Sequence, residues 1–146
     1  LGYEKRTIEQ FVAILESVGV GLLVDVRDVA WSHKRDFAKS ALQAHLAGSG
    51  IGYVHARFAG NPKRLRAQGG TSEELLAIYA KHLDDHPEIV EEFRALVADL
   101  AKDGRRPCIM CLERDPRDCH RSVLAQRWKG RRRGARVEHL GTPAPT

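Results

Sequence analysis

Three short apolar runs, at residues 22–26, 51–55 and 107–112, are separated by stretches whose apolar residues recur at helical spacing. That alternation constrains the fold more than any other feature. The run Leu22-Leu23-Val24-Asp25-Val26 is short and rich in β-branched residues, and near-continuous apolarity marks a strand buried on both faces. Before the first run, Phe11, Ile14, Leu15 and Val18 form one helical stripe behind the capping-box pattern Thr7-Ile8-Glu9-Gln10. A second helical pattern covers residues 37–47. Thr71 and Glu74 open a third, and Pro87 begins a fourth that carries Ile89, Val90, Phe93, Leu96, Val97 and Leu100. A last helix is expected over residues 119–129, a last strand over 136–140, and a strand stub at Gly2-Tyr3. Residues 56–70 are expected as a long polar loop.

Strands alternating with helices predict an α/β three-layer sandwich, with a mostly parallel sheet of about five strands flanked by helices. With 146 residues and no internal break, residues 1–141 are expected to form a single domain, followed by a disordered or extended tail at 142–146. No apolar run approaches the roughly 20 residues of a membrane span, and the opening residues show no secretory leader. The three cysteines form an odd set clustered between positions 108 and 119, which argues against a disulfide framework and for a cytoplasmic setting. A net charge of +5 favours an anionic small molecule or nucleic acid as partner.

In a parallel sheet, ligands meet the carboxyl ends of the strands. Asp25 and Arg27 end one strand, His55 another, and Cys111 and Glu113 a third, so these polar residues are expected to converge on one edge. Cys119-His120-Arg121 opens the last helix, whose N-terminus is a natural anion site. On the helical wheel His120 falls on the apolar stripe and should point at the strand ends. Glu113 and His120 are candidates for general acid–base work, with Asp25 orienting a basic partner. Arg27, Arg35 and Arg121 are candidate guanidinium ligands for an anion, with Ser32 and His55 as further donors. The alternative is purely structural: His120 and Arg121 capping nearby carbonyls, and Asp25 with Arg27 forming a buried ion pair.

The cysteines open other possibilities. Cys108 and Cys111 have C-x-x-C spacing, but residues three apart on a strand face opposite ways and cannot bridge. Cys111 and Arg117 have the C-x5-R spacing of a phosphate loop, without its glycines. Cys111 or Cys119 is a candidate nucleophile, since a helix N-terminus and nearby arginines favour a thiolate, while Cys119 also suits a small buried apolar position. A zinc site from Cys111, Cys119, His120 and His55 is disfavoured, because two adjacent residues at a helix start are poorly placed to ligate one ion. No metal or cofactor is therefore assigned. The basic run ending in Arg131, Arg132 and Arg133 is either a solvated helix end or a phosphate-backbone contact.

Three segments resemble the domain-of-unknown-function family 488. They are Val24-Asp25-Val26-Arg27 with Ser32 and Phe37-Ala38-Lys39, then residues 50–55, then residues 111–116 with Cys119-His120-Arg121. Ala59-Gly60 stands where the family frequently has two glycines. The resemblance implies an α/β fold and a site shared among these segments, and brings no assigned reaction. Two functions are carried forward: an enzyme acting on a phosphate-bearing or other anionic substrate, and a non-catalytic nucleic-acid-binding or regulatory module using Arg131–Arg133.

Overall fold

Strand β1 (Val20–Asp25) runs through the middle of the sheet, between β2 (Gly52–His55) and β3 (Arg106–Met110), and both pairings are parallel. The computed structural model describes residues 1–141; the tail expected at 142–146 lies outside them. Leu22, Val24 and Val26 point to one face and pack with Tyr79, Leu83, Phe93, Leu100 and Leu124. Val20 and Leu23 point to the other, against Phe11, Leu15, Leu42 and Leu46. Both faces of β1 are thus covered by apolar side chains, which is why its sequence lacks the polar alternation of a half-exposed strand.

The first face is covered by α4 (Ser72–Asp85), α5 (Pro87–Lys102) and α6 (His120–Lys129), and the second by α1 (Ile8–Ser17) and α2 (Lys39–Ala47). Thr7 caps α1 reciprocally with Gln10, Oγ1 accepting from the Gln10 amide at 3.1 Å and Gln10 Oε1 from the Thr7 amide at 2.9 Å. Thr71 caps α4 through the Glu74 amide at 3.2 Å. The helix expected at 37–47 begins two residues later, because Ala38 is extended (ψ 147°) and separates a 3-10 turn, Arg35–Phe37, from α2. The expected polar loop holds a 3-10 turn, Arg57–Ala59, and the single-turn helix α3 (Lys63–Arg66).

The sheet has three strands among the described residues rather than about five. Gly2 makes only an isolated parallel bridge to Cys111. After α6, Gly130 (φ 52°) and Gly134 (φ 82°) redirect the chain, and residues 136–140 form no strand. A cavity of about 520 Å³, bordered by Pro107, Ile109, Val137 and Leu140, lies between β3 and this segment. No helix among the described residues is long and apolar enough to cross a membrane.

Candidate functional site

The loop from β3 to α6 carries most of the chemistry. Asp115 caps a 3-10 turn, Pro116–Asp118, by accepting from the Arg117 amide at 2.9 Å, and the turn delivers Cys119 as the residue that precedes α6. Cys119 is extended (φ −123°, ψ 137°) while His120 is already helical, so the two adjacent side chains leave the backbone in convergent directions. His120 Nε2 lies 2.9 Å from the Val26 carbonyl. A carbonyl only accepts, so Nε2 carries the proton, and Nδ1 is the atom left to face the sulfurs. Nδ1 sits 3.8 Å from Cys111 Sγ and 4.0 Å from Cys119 Sγ. The Tyr79 ring meets the imidazole edge-on at 4.9 Å, and its hydroxyl donates to the Ala59 carbonyl at 2.8 Å.

This cluster is deeply buried, with Cys111 at 7%, Cys119 at 1% and His120 at 6% exposure. The two thiols are driven apart in acidity. The hydrogen bond from Cys111 lowers Cys119, helped by His120 and the charge of Arg121, whereas donating that bond and being buried both raise Cys111. Glu113 is a further member. Burial first, and then the neighbouring Cys119, push its carboxyl up to about 7. Its Oε2 is buried with no hydrogen-bond partner. Arg121, 2% exposed, clamps the loop by donating to the Glu113 carbonyl at 2.6 Å and the Arg114 carbonyl at 3.3 Å, while its Nε has no partner.

Asp25 and Arg27 do not join this group. Side chains alternate along a strand, so Asp25 faces away from its neighbours Val24 and Val26, toward α1 and α2. There it accepts from Arg27 Nη2 at 2.6 Å, Arg27 Nε at 2.9 Å and the Tyr53 hydroxyl at 2.6 Å. Arg27 also donates to the Phe37 carbonyl at 2.7 Å and lies over the Tyr3 ring at 5.4 Å. Burial opposes the Arg27 charge, but Asp25 outweighs it and the guanidinium is held more firmly protonated than usual. The single cleft expected from the sequence is therefore two separate polar groups with the sheet between them. His55 is bound to the Arg27 carbonyl at 2.8 Å. Ser32 accepts from the Lys34 amide at 3.1 Å, and Arg35 is exposed on the next turn.

Tyr53 and Tyr79 complete the two groups. The alternation of β2 places Tyr53 on the Asp25 face and was the available signal for it; Tyr79 carried none beyond its helical stripe. Cys108 packs on the α1–α2 side and Cys111 on the other, as strand alternation requires. Arg117 is paired with Asp115 at the surface, so no phosphate loop forms. The ligand atoms of Cys111, Cys119 and His120 all lie within 4.8 Å of one another. The objection that adjacent residues cannot share an ion does not hold here, because the first of the pair is extended; His55, bound to the Arg27 carbonyl, is not part of the set. Arg131, Arg132 and Arg133 are exposed beyond α6, with Arg132 lying 5.7 Å over the Trp128 ring. The 520 Å³ cavity is bordered by Arg121 but by none of Cys111, Glu113, Cys119 or His120.

Fold and site together define a parallel α/β domain with a thiol–imidazole–carboxyl cluster between the end of its third strand and its last helix. The chain belongs to the family described as Domain of unknown function DUF488, whose model matches residues 7–128. Comparison with curated proteins and with solved structures finds no match.

Proposed function

We propose that the protein is an enzyme that acts on a phosphate-bearing or other anionic substrate at the carboxyl edge of its sheet. Glu113 and His120 handle protons, Arg35 and Arg121 serve the anion, and Asp25 with Arg27 hold the β1 end from the opposite face. The observation that carries this reading is Glu113. Placing a carboxyl group with an unpartnered oxygen against a thiol and an imidazole, at the margin of an apolar core, costs stability that a purely structural loop has no reason to lose. Supporting it, the large apolar residues left exposed, Val29, Trp31 and Leu112, all lie on loops that follow the carboxyl ends of β1 and β3.

The test is turnover of a panel of nucleotides, phosphate monoesters and phosphate diesters, followed by phosphorus NMR. Glu113→Gln should slow the responsive substrate by about 10²–10⁴-fold while circular dichroism stays unchanged. A wild-type protein inert toward the whole panel, or a variant as fast as wild type, refutes the reading.

A second reading rests on the exposed arginines at 131–133 and the stacking of Arg132 on Trp128. It is a nucleic-acid-binding module. Changing all three arginines to Ala should weaken binding to single- and double-stranded oligonucleotides and flatten its salt dependence, measured by fluorescence anisotropy. Binding that the triple change leaves intact removes this reading.

A further inference from the structure

We propose that Cys111, Cys119 and His120 bind a zinc ion. The inference stands whether or not the carboxyl edge turns over a substrate; with an ion bound, His120 serves as a ligand and the proton work proposed above falls to Glu113 alone. Its first support is distance. Zinc bonds of about 2.3 Å to sulfur and about 2.0–2.1 Å to nitrogen set a tetrahedral sulfur–nitrogen separation of roughly 3.6 Å. The two sulfurs lie 3.8 and 4.0 Å from Nδ1, so side-chain adjustments of a few tenths of an ångström close the set around an ion. Ordinary core packing does not require two thiols and one imidazole lone pair to share a focus.

The second support is the orientation of the imidazole. A ligating histidine characteristically gives its other N–H to a carbonyl or carboxylate, which fixes the ring and the tautomer. His120 does this through Nε2 and the Val26 carbonyl at 2.9 Å, and its free lone pair is aimed at the sulfurs. Tyr79 braces the ring from the side.

The third support is the donor set. Two thiolates and one imidazole are soft and borderline donors that suit zinc and reject calcium or magnesium. Glu113 is not among the atoms that share this focus, so the fourth position falls to a water molecule. Both sulfurs coordinate as thiolates, any thiol proton still held passing to solvent on binding, and no redox change takes place.

The full-length chain is purified without added metal and its content measured by mass spectrometry. It is then stripped with a chelator and titrated with Zn²⁺ against a chromophoric competitor. One ion per chain is expected. Cys111→Ser, Cys119→Ser and His120→Gln should each weaken binding by more than the roughly 10–100-fold cost of losing a group that merely orients a ligand. Cys108→Ser, facing the opposite core, should leave affinity unchanged. Co²⁺ in place of Zn²⁺ in the wild-type chain should give thiolate charge-transfer bands and the visible bands of a tetrahedral ion, a readout that does not depend on any variant folding. Failure to bind Zn²⁺ at one ion per chain, a Co²⁺ spectrum without thiolate bands, or equal weakening by Cys108→Ser overturns the site.

Discussion

Asp25 has no exposed surface, and a guanidinium, a backbone amide and a phenol hydroxyl all donate to its carboxylate oxygens. Removing one member leaves the other buried and unpaired. Asp25→Ala should therefore destabilise the domain by about 3–5 kcal/mol in urea unfolding, while joint replacement of Asp25 and Arg27 by Leu and Met should cost less than the single change. The opposite case is Asp115, at the surface, where the Arg117 side chain first and its amide second hold the carboxyl near 2 against an ordinary value of 3.8. A folded-state value below the unfolded one gives stability that is full above about 3.8 and is lost as pH falls toward about 2. Acid titration of the melting temperature should show this loss in the wild type, and Asp115→Asn should flatten that part of the curve.

Between β2 and α3, the turn at Ala59-Gly60 joins elements that are distant in sequence. Gly60 has an ordinary φ of −69°, so its backbone suits any residue, but its surroundings do not. A Cβ there would stand 2.7 Å from Asp28 Cα and 2.8 Å from Asp28 N, both backbone atoms of the loop after β1. Gly60→Ala should cost about 1–3 kcal/mol in thermal or denaturant unfolding, through overpacking rather than dihedral strain. Helix α4 secures the same turn through the Tyr79 hydroxyl, which donates to the Ala59 carbonyl. Tyr79→Phe keeps the ring against His120 and strands that carbonyl, so stability should fall by about 1–3 kcal/mol in the same assay. These ties are invisible in the sequence, because a contact between a glycine and a distant backbone leaves no periodicity to read.

Across the whole molecule, the parallel sheet with helices on both faces was legible, because buried strands and amphipathic helices announce themselves by burial pattern. The outer strands were not. The segment 136–140 holds Val137 and Leu140 among polar residues, and strand formation also needs a partner in register, which the chain does not reach after the glycine turns that follow α6. The site was legible in part. Cys111, Glu113, Cys119, His120 and Arg121 come together because one loop and one helix start carry them. Asp25 and Arg27 were assigned to the same cleft since strand ends cluster, but the face on which each side chain emerges is decided by alternation, which sends Asp25 the other way.

The depths of the three cysteines make a natural clock. Cys108 is partly exposed, whereas Cys111 and Cys119 are 7% and 1% exposed. A maleimide added to the native chain should mark Cys108 early and the other two only when the domain opens, so peptide mass spectrometry of the labelled positions would time that opening. Uniform early marking of all three would mean that the inner pair is not sealed. Crowding its softest nucleophiles beneath α4 and α6 gives the chain a built-in reporter that needs no engineered tag.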